Sequence, residues 1–287
     1  MNTDNVYGNV MLVDLRVSQW TGRKMDKRVS KAVADANSVA EGAGRYYKTL
    51  LDPAVMKDIQ HLVTTARNEH YAMTLPWSDE GPRVLSSQLY FTYMQKMREY
   101  KDKFLAKANG LLAEYPYHRE EAKRLLGNLF SETDYPTPDE LSMKYAFNVR
   151  VQPLPKGSDF RCNIPDEELA EVRQQMEGEN SALLKRATDE AYARVHKVAT
   201  AYVDRLADTG TVFRDSLVWN ARELVDLLPA LNITNDPRLD DLTEKLSVHL
   251  SKHDPQVLRT NMGARKETHE AAKAVVSDIE SIFGGST

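Results

Sequence analysis

Apolar side chains recur at spacings of three and four over two long stretches, and this rhythm constrains the fold more than any other feature. Tyr90, Tyr93, Met97, Tyr100, Phe104, Ala108 and Leu111 form one series, and Leu184, Ala187, Ala191, Val195, Val198, Tyr202 and Leu206 form another. Residues three and four apart share a helix face, so each series predicts a helix with one buried side. Tyr115-Pro116 is expected to stop the first, because proline removes an amide donor and crowds the preceding turn, and a short helix near 118–129 should follow. The second is expected to run as one long helix from Pro165 to about Asp208, led by the acidic turn Asp166-Glu167-Glu168, weakened at Gly178 and ended by Gly210. Further helices are expected over 26–40, 53–71, 211–228, 237–251 and 255–283; Asp52-Pro53 supplies a cap and a first-turn proline for the second of these.

Two segments carry a period of two instead. Val13, Leu15 and Val17 alternate with Asp14 and Arg16, and Tyr145, Phe147, Val149 and Val151 alternate with small or polar residues. Both predict half-buried strands, and they are expected to pair because a lone strand leaves its backbone groups unsatisfied. Thr74–Pro82 reads as a loop. The fold class is therefore α+β, predominantly α: a small N-terminal sheet with packed helices, then an elongated C-terminal helical hairpin or bundle with coiled-coil character. The character changes near residue 164, which suggests an α+β domain over 1–163 and an all-helical region over 164–287.

Charge follows the same division. Residues 1–163 hold 23 Lys and Arg against 20 Asp and Glu, and residues 164–287 hold 15 against 22. No apolar run reaches the roughly 18–20 residues a membrane span requires. The first residues show no basic segment leading into an apolar one, so no secretory leader is expected. A single cysteine, Cys162, excludes an internal disulfide and a cysteine-based zinc site, which suits a reducing, cytoplasmic setting.

Motifs for catalysis are weak. His249 and His253 have the i,i+4 spacing of a helical metal pair, but Leu250 stands where a zinc peptidase carries glutamate; His61 and His70 are too far apart to share a turn. Glu41-Gly42-Ala43-Gly44-Arg45 and Gly22-Arg23-Lys24 complete neither a Walker loop nor a dinucleotide fingerprint. The carboxylate groups Asp79-Glu80, Asp139-Glu140, Asp166-Glu167-Glu168 and Asp240-Asp241 mostly begin helices, where acidic residues are expected, and Glu80 is the one candidate for a magnesium ligand. No cofactor, resident metal or catalytic residue is implied.

The densest basic stretch, Arg16 to Lys48, interleaves cations with rings. Trp20, Arg23, Lys24, Lys27, Arg28, Arg45, Tyr46, Tyr47 and Lys48 are the residue types that neutralise phosphates and stack on bases, so they are the candidate interface for nucleic acid or another partner. The alternative is that Trp20 and Tyr47 are core and the cations only solvate a helix.

The runs Val13-Asp14-Leu15-Arg16-Val17-Ser18-Gln19-Trp20-Thr21-Gly22-Arg23-Lys24, Gly44-Arg45-Tyr46-Tyr47-Lys48, Thr74-Leu75-Pro76-Trp77 and Asp134-Tyr135-Pro136 resemble an uncharacterised family of phage and mobile-element proteins. The resemblance covers roughly residues 10–160. It implies a gene neighbourhood of AAA-type ATPases, von Willebrand A-domain proteins or recombination genes, and carries no catalytic residues. The resulting expectation is a non-enzymatic accessory protein of the host-cell cytoplasm that binds nucleic acid, single-stranded DNA included, or a protein partner such as an AAA-type ATPase or another phage or host protein. Two alternatives stand beside it: an oligomeric assembly module built through residues 165–283, without nucleic-acid binding, and a metal-dependent hydrolase using Glu80 or His249 and His253.

Overall fold

A computed structural model describes residues 3–40, 42–79, 81–159, 165–208 and 211–284. Glu80, Cys162 and Gly210 lie outside them. The chain begins with a short helix α1 (Thr3–Asn9), strand β1 (Val10–Ser18), a short strand β2 (Arg23–Met25) and helix α2 (Lys27–Ala36). Strand β3 (Tyr47–Thr49), helix α3 (Pro53–Met73), and strands β4 (Leu75–Pro76) and β5 (Arg83–Ser86) follow. Helix α4 (Tyr90–Leu126), a five-residue helix α5 (Pro138–Ser142) and strand β6 (Ala146–Pro153) lead into the helical series α6 (Asp166–Leu206), α7 (Ser216–Leu231), α8 (Pro237–Lys245), α9 (Pro255–Thr260) and α10 (Met262–Gly284). A π-helical turn, Leu246–Leu250, extends α8.

Four strands form one sheet in the order β4-β5-β1-β6, so the two strands read from the sequence are neighbours as expected. Strand β1 pairs antiparallel with β5 from Val10↔Ser86 to Val13↔Arg83, and β5 pairs antiparallel with β4. The loop expected over 74–82 thus contributes β4, and Pro76 is tolerated because β4 is an edge strand. Alternation holds only in part of β1: Val10, Leu12, Val13 and Asp14 are all buried, and exposed residues begin at Arg16.

Contacts group the chain into two units whose boundary differs from residue 163. One comprises residues 1–14, 71–91 and 151–287, and the other residues 15–70 and 92–150. The physical reason is that β4, β5 and the start of β1 share a core with the C-terminal helices: Val10, Leu12, Leu75, Trp77 and Val84 belong to the same apolar cluster as Leu184, Val195, Tyr202, Leu228, Leu246 and Val275. In that unit α6 packs on α10 and α7 as a bundle. Two guanidiniums, Arg265 buried and Arg194 half-buried, finish its helix ends. Arg265 donates to the carbonyls of Arg205 and Leu206 in the last turn of α6 and of Asp208 and Thr211 beyond it. Arg194 donates to those of Tyr71, Ala72 and Thr74. Each places positive charge where helix carbonyls point outward.

The second unit is built on α3 and α4. Helix α4 does not stop at Tyr115-Pro116 but continues to Leu126, absorbing the separate helix expected over 118–129. Proline tolerates helical φ, and the neighbouring residue is pinned: Tyr115 is buried, its hydroxyl donates to the Pro136 carbonyl at 2.9 Å, and its ring meets Trp20 edge-on at 6.0 Å. Burial pushes the Tyr115 phenol up to about 12, so it remains a donor at neutral pH. Phe104 packs against Tyr145 and Phe147, confirming the inner face of α4.

Candidate nucleic-acid interface

The basic-aromatic stretch folds into a miniature ribbon and a helix within the second unit. After β1, Gly22 turns the chain with φ +62°, a conformation costly for residues with a Cβ. Its carbonyl accepts from the Leu50 amide, which closes one end of the β2–β3 pair. The register is Arg23↔Thr49, Lys24↔Lys48 and Met25↔Tyr47. Asp26 then caps α2: its side chain accepts from the Val29 amide at 3.0 Å, and that bond, followed by the Lys48 ammonium, holds its carboxyl below the usual range. Ser30 closes the other end. Its hydroxyl donates to the Asp26 carbonyl and accepts from the Tyr46 amide, while the Asp26 amide donates to the Tyr46 carbonyl.

This scaffold separates the candidate residues into two groups. Arg23 and Lys24 on β2, Lys27, Arg28 and Lys31 on α2, and Arg45 just before β3 are exposed. Arg23, Lys24, Lys27, Lys31 and Arg45 form no ion pair among the described residues, and Arg28 donates only to the Asn128 carbonyl, at 3.5 Å. Tyr47 is 51% exposed and stacks on no other ring among the described residues, and Tyr46 is exposed beside it. The N-terminus of α2 adds its own partial positive charge to this face.

Trp20 and Lys48 depart from the expected set. Trp20 is 9% exposed against Tyr115, because an indole beside an aromatic-lined helix gains more from burial than from water. Lys48 is buried, with its ammonium 2.5 Å from Asp134 Oδ2, 3.6 Å from Asp26 Oδ2 and 2.8 Å from the Leu129 carbonyl. Two lysines directly across a ribbon would repel. The carboxylates draw one of them inward and leave Lys24 to solvent. The same segment is tied down again by Tyr135, whose hydroxyl donates to the Leu50 carbonyl at 2.7 Å. Helix α2 lies on the surface along most of its length: Val33 is 51% exposed and only Ala34 is buried.

The other candidates do not assemble. His249 lies in the π-turn and His253 in the irregular segment after it, so the helical i,i+4 geometry is lost. His70 is buried, with Nδ1 2.8 Å from the Tyr93 hydroxyl. Among the described residues no group of three His, Cys, Asp or Glu could hold a metal ion. Asp79 pairs with Arg186, Glu140 completes the capping box of α5, Asp240 accepts from Asn232, and Asp241 pairs with Lys245. A groove of about 520 Å³ between α3 and α4 is bordered by Asp58, Lys107, Glu114 and His118, with Asp58 and Lys107 paired at 2.6 Å.

Sequence reasoning missed the Asp134 partner of Lys48 and the ribbon itself. Strands of three residues carry no readable period, and the Asp134-Tyr135-Pro136 run shows no sign that it docks there. No helix among the described residues is long and apolar enough to cross a membrane. No protein family, no curated protein and no solved structure matches this chain.

Proposed function

We propose that the face made by β2, the first turns of α2 and the approach to β3 binds the phosphate backbone of nucleic acid, and that the protein acts as a binding accessory and not as an enzyme. One observation carries the reading: the cations of this face are exposed and have no carboxylate partner among the described residues, while the lysine that does have carboxylates, Lys48, is turned inward. Unpaired cations spread over a ribbon and a helix suit a polymer of charges better than a single small anion, which would need them to converge. The resemblance of residues 10–160 to phage and mobile-element proteins agrees with a ligand of this kind.

Fluorescence anisotropy with labelled oligonucleotides tests it. Binding at about 50 mM salt should weaken steeply as salt rises, because each neutralised phosphate releases counterions. The double variant Arg23→Glu/Lys24→Glu should lose most of it. Absent binding, or binding indifferent to salt, removes the reading.

A second reading, self-association through residues 165–283, draws on Trp219, which is 63% exposed on α7. Tryptophan is enriched among the residues that anchor protein–protein interfaces. Light scattering that finds a monomer, with Trp219→Ser unchanged in mass and stability, counts against it.

A further inference from the structure

The register of the β2–β3 ribbon says which form of nucleic acid this face suits. Directly paired residues share a ribbon face, and residues two apart on one strand return to it. Arg23, Met25, Tyr47 and Thr49 therefore lie on one face, and Lys24 and Lys48 on the other. Met25 and Thr49 are half-buried, whereas Arg23 and Tyr47 are exposed, at diagonal positions across the ribbon. Diagonal neighbours stand about 7–8 Å apart. A planar ring and a guanidinium are thus presented together.

We infer that this ribbon face takes single-stranded nucleic acid, with Tyr47 stacking on an unpaired base and Arg23 meeting the adjoining phosphate. This rests on the proposed backbone-binding function. A phenol ring that stacks on no ring among the described residues offers an open π-face, and only a base freed from its own neighbours can cover it. In a duplex the base faces are already stacked, so Tyr47 would find only sugar and phosphate there. Tyr47 is rooted by the Met25 pairing, while Tyr46 has both its backbone groups committed to the cap of α2, so the local backbone holding the ring is fixed before a strand arrives. Arg23 contributes charge without being drawn to a carboxylate among the described residues. The chemistry is shared by single-stranded DNA and RNA.

The test compares labelled oligo-deoxythymidine, oligo-uridine and a duplex of equal length, using the full chain and four variants. Tyr47→Ala should weaken binding to the single strands about tenfold, the scale of one lost base stack, and leave duplex binding unchanged. Tyr47→Phe should keep the wild-type affinity, because the ring and not the hydroxyl makes the contact. Arg23→Glu should weaken all three ligands, and Lys24→Glu, on the opposite ribbon face, should weaken them less. The two single-strand arms tell DNA from RNA. Equal affinity for duplex and single strands, or a Tyr47→Ala variant indistinguishable from wild type on both single strands, overturns the inference. If Arg23→Glu and Lys24→Glu then still weaken binding, the basic face stands and only the single-strand assignment falls. If no ligand binds at about 50 mM salt, both fall.

Discussion

Lys48 Nζ and Asp134 Oδ2 lie 2.5 Å apart in a site where both side chains are nearly sealed from water, 7% and 12% exposed. A buried pair of this kind offsets its desolvation only while both partners are present. Lys48→Met should therefore destabilise the protein by about 3 kcal/mol, read as a lower denaturation midpoint in urea. Adding Asp134→Asn to it should restore part of the loss. Because Lys48 does not face solvent, nucleic-acid affinity measured well below the midpoint should change little, in contrast to charge reversal at Arg23.

Trp20 allows the opposite dissection. Its indole is buried edge-on to Tyr115, so Trp20→Ala should cost about 3–5 kcal/mol. Trp20→Phe should cost less and leave oligonucleotide affinity at the wild-type value. A Trp20→Phe protein with full stability but weakened binding would return Trp20 to the interface.

Arg265 is 4% exposed and satisfies four main-chain carbonyls, two in the last turn of α6 and two beyond it. Removing it strands those acceptors, so Arg265→Ala should lower stability by about 3 kcal/mol or more. Arg265→Lys should recover only a minority of this, since an ammonium lacks the planar fork that reaches several carbonyls at once. Equilibrium unfolding in urea measures both.

Asp236 caps α8 and is paired with Arg238, which is the first cause of a carboxyl held down to about 2, against an ordinary 3.8; the Tyr192 hydroxyl adds to it. A carboxyl depressed in the folded state stabilises above its unfolded value and loses that contribution as pH falls through its folded one. The melting temperature should thus fall between about pH 4 and pH 2. Asp236→Asn, which keeps a capping side chain, should flatten that part of the profile when thermal unfolding is followed by circular dichroism.

The parts of the fold legible in the sequence are those with a long period. The stripes from Tyr90 and from Leu184, and the alternations at Val13 and Tyr145, placed α4, α6, β1 and β6, because burial repeated along one element leaves a repeated pattern. Where a tertiary contact overrides a local rule, the sequence misleads. Pro116 reads as a stop, but the anchoring of Tyr115 to Trp20 and Pro136 carries the helix through it. The candidate interface was legible as a composition, cations among rings, and not as an arrangement. Which ring points out and which lysine points in is decided by Tyr115 and Asp134, residues with no local relation to the stretch they sort.

That remoteness orders events during synthesis. The Leu129 carbonyl that receives the Lys48 ammonium is 81 residues further along the chain, and Asp134 is later still. The ribbon has too few residues to stand alone in water, and its clamp cannot close until residue 134 has left the ribosome. A nascent chain shorter than that carries its basic segment as loose charge, without a fixed ring beside a fixed guanidinium. The fixed geometry of the ribbon arrives only once translation has passed the point that locks it.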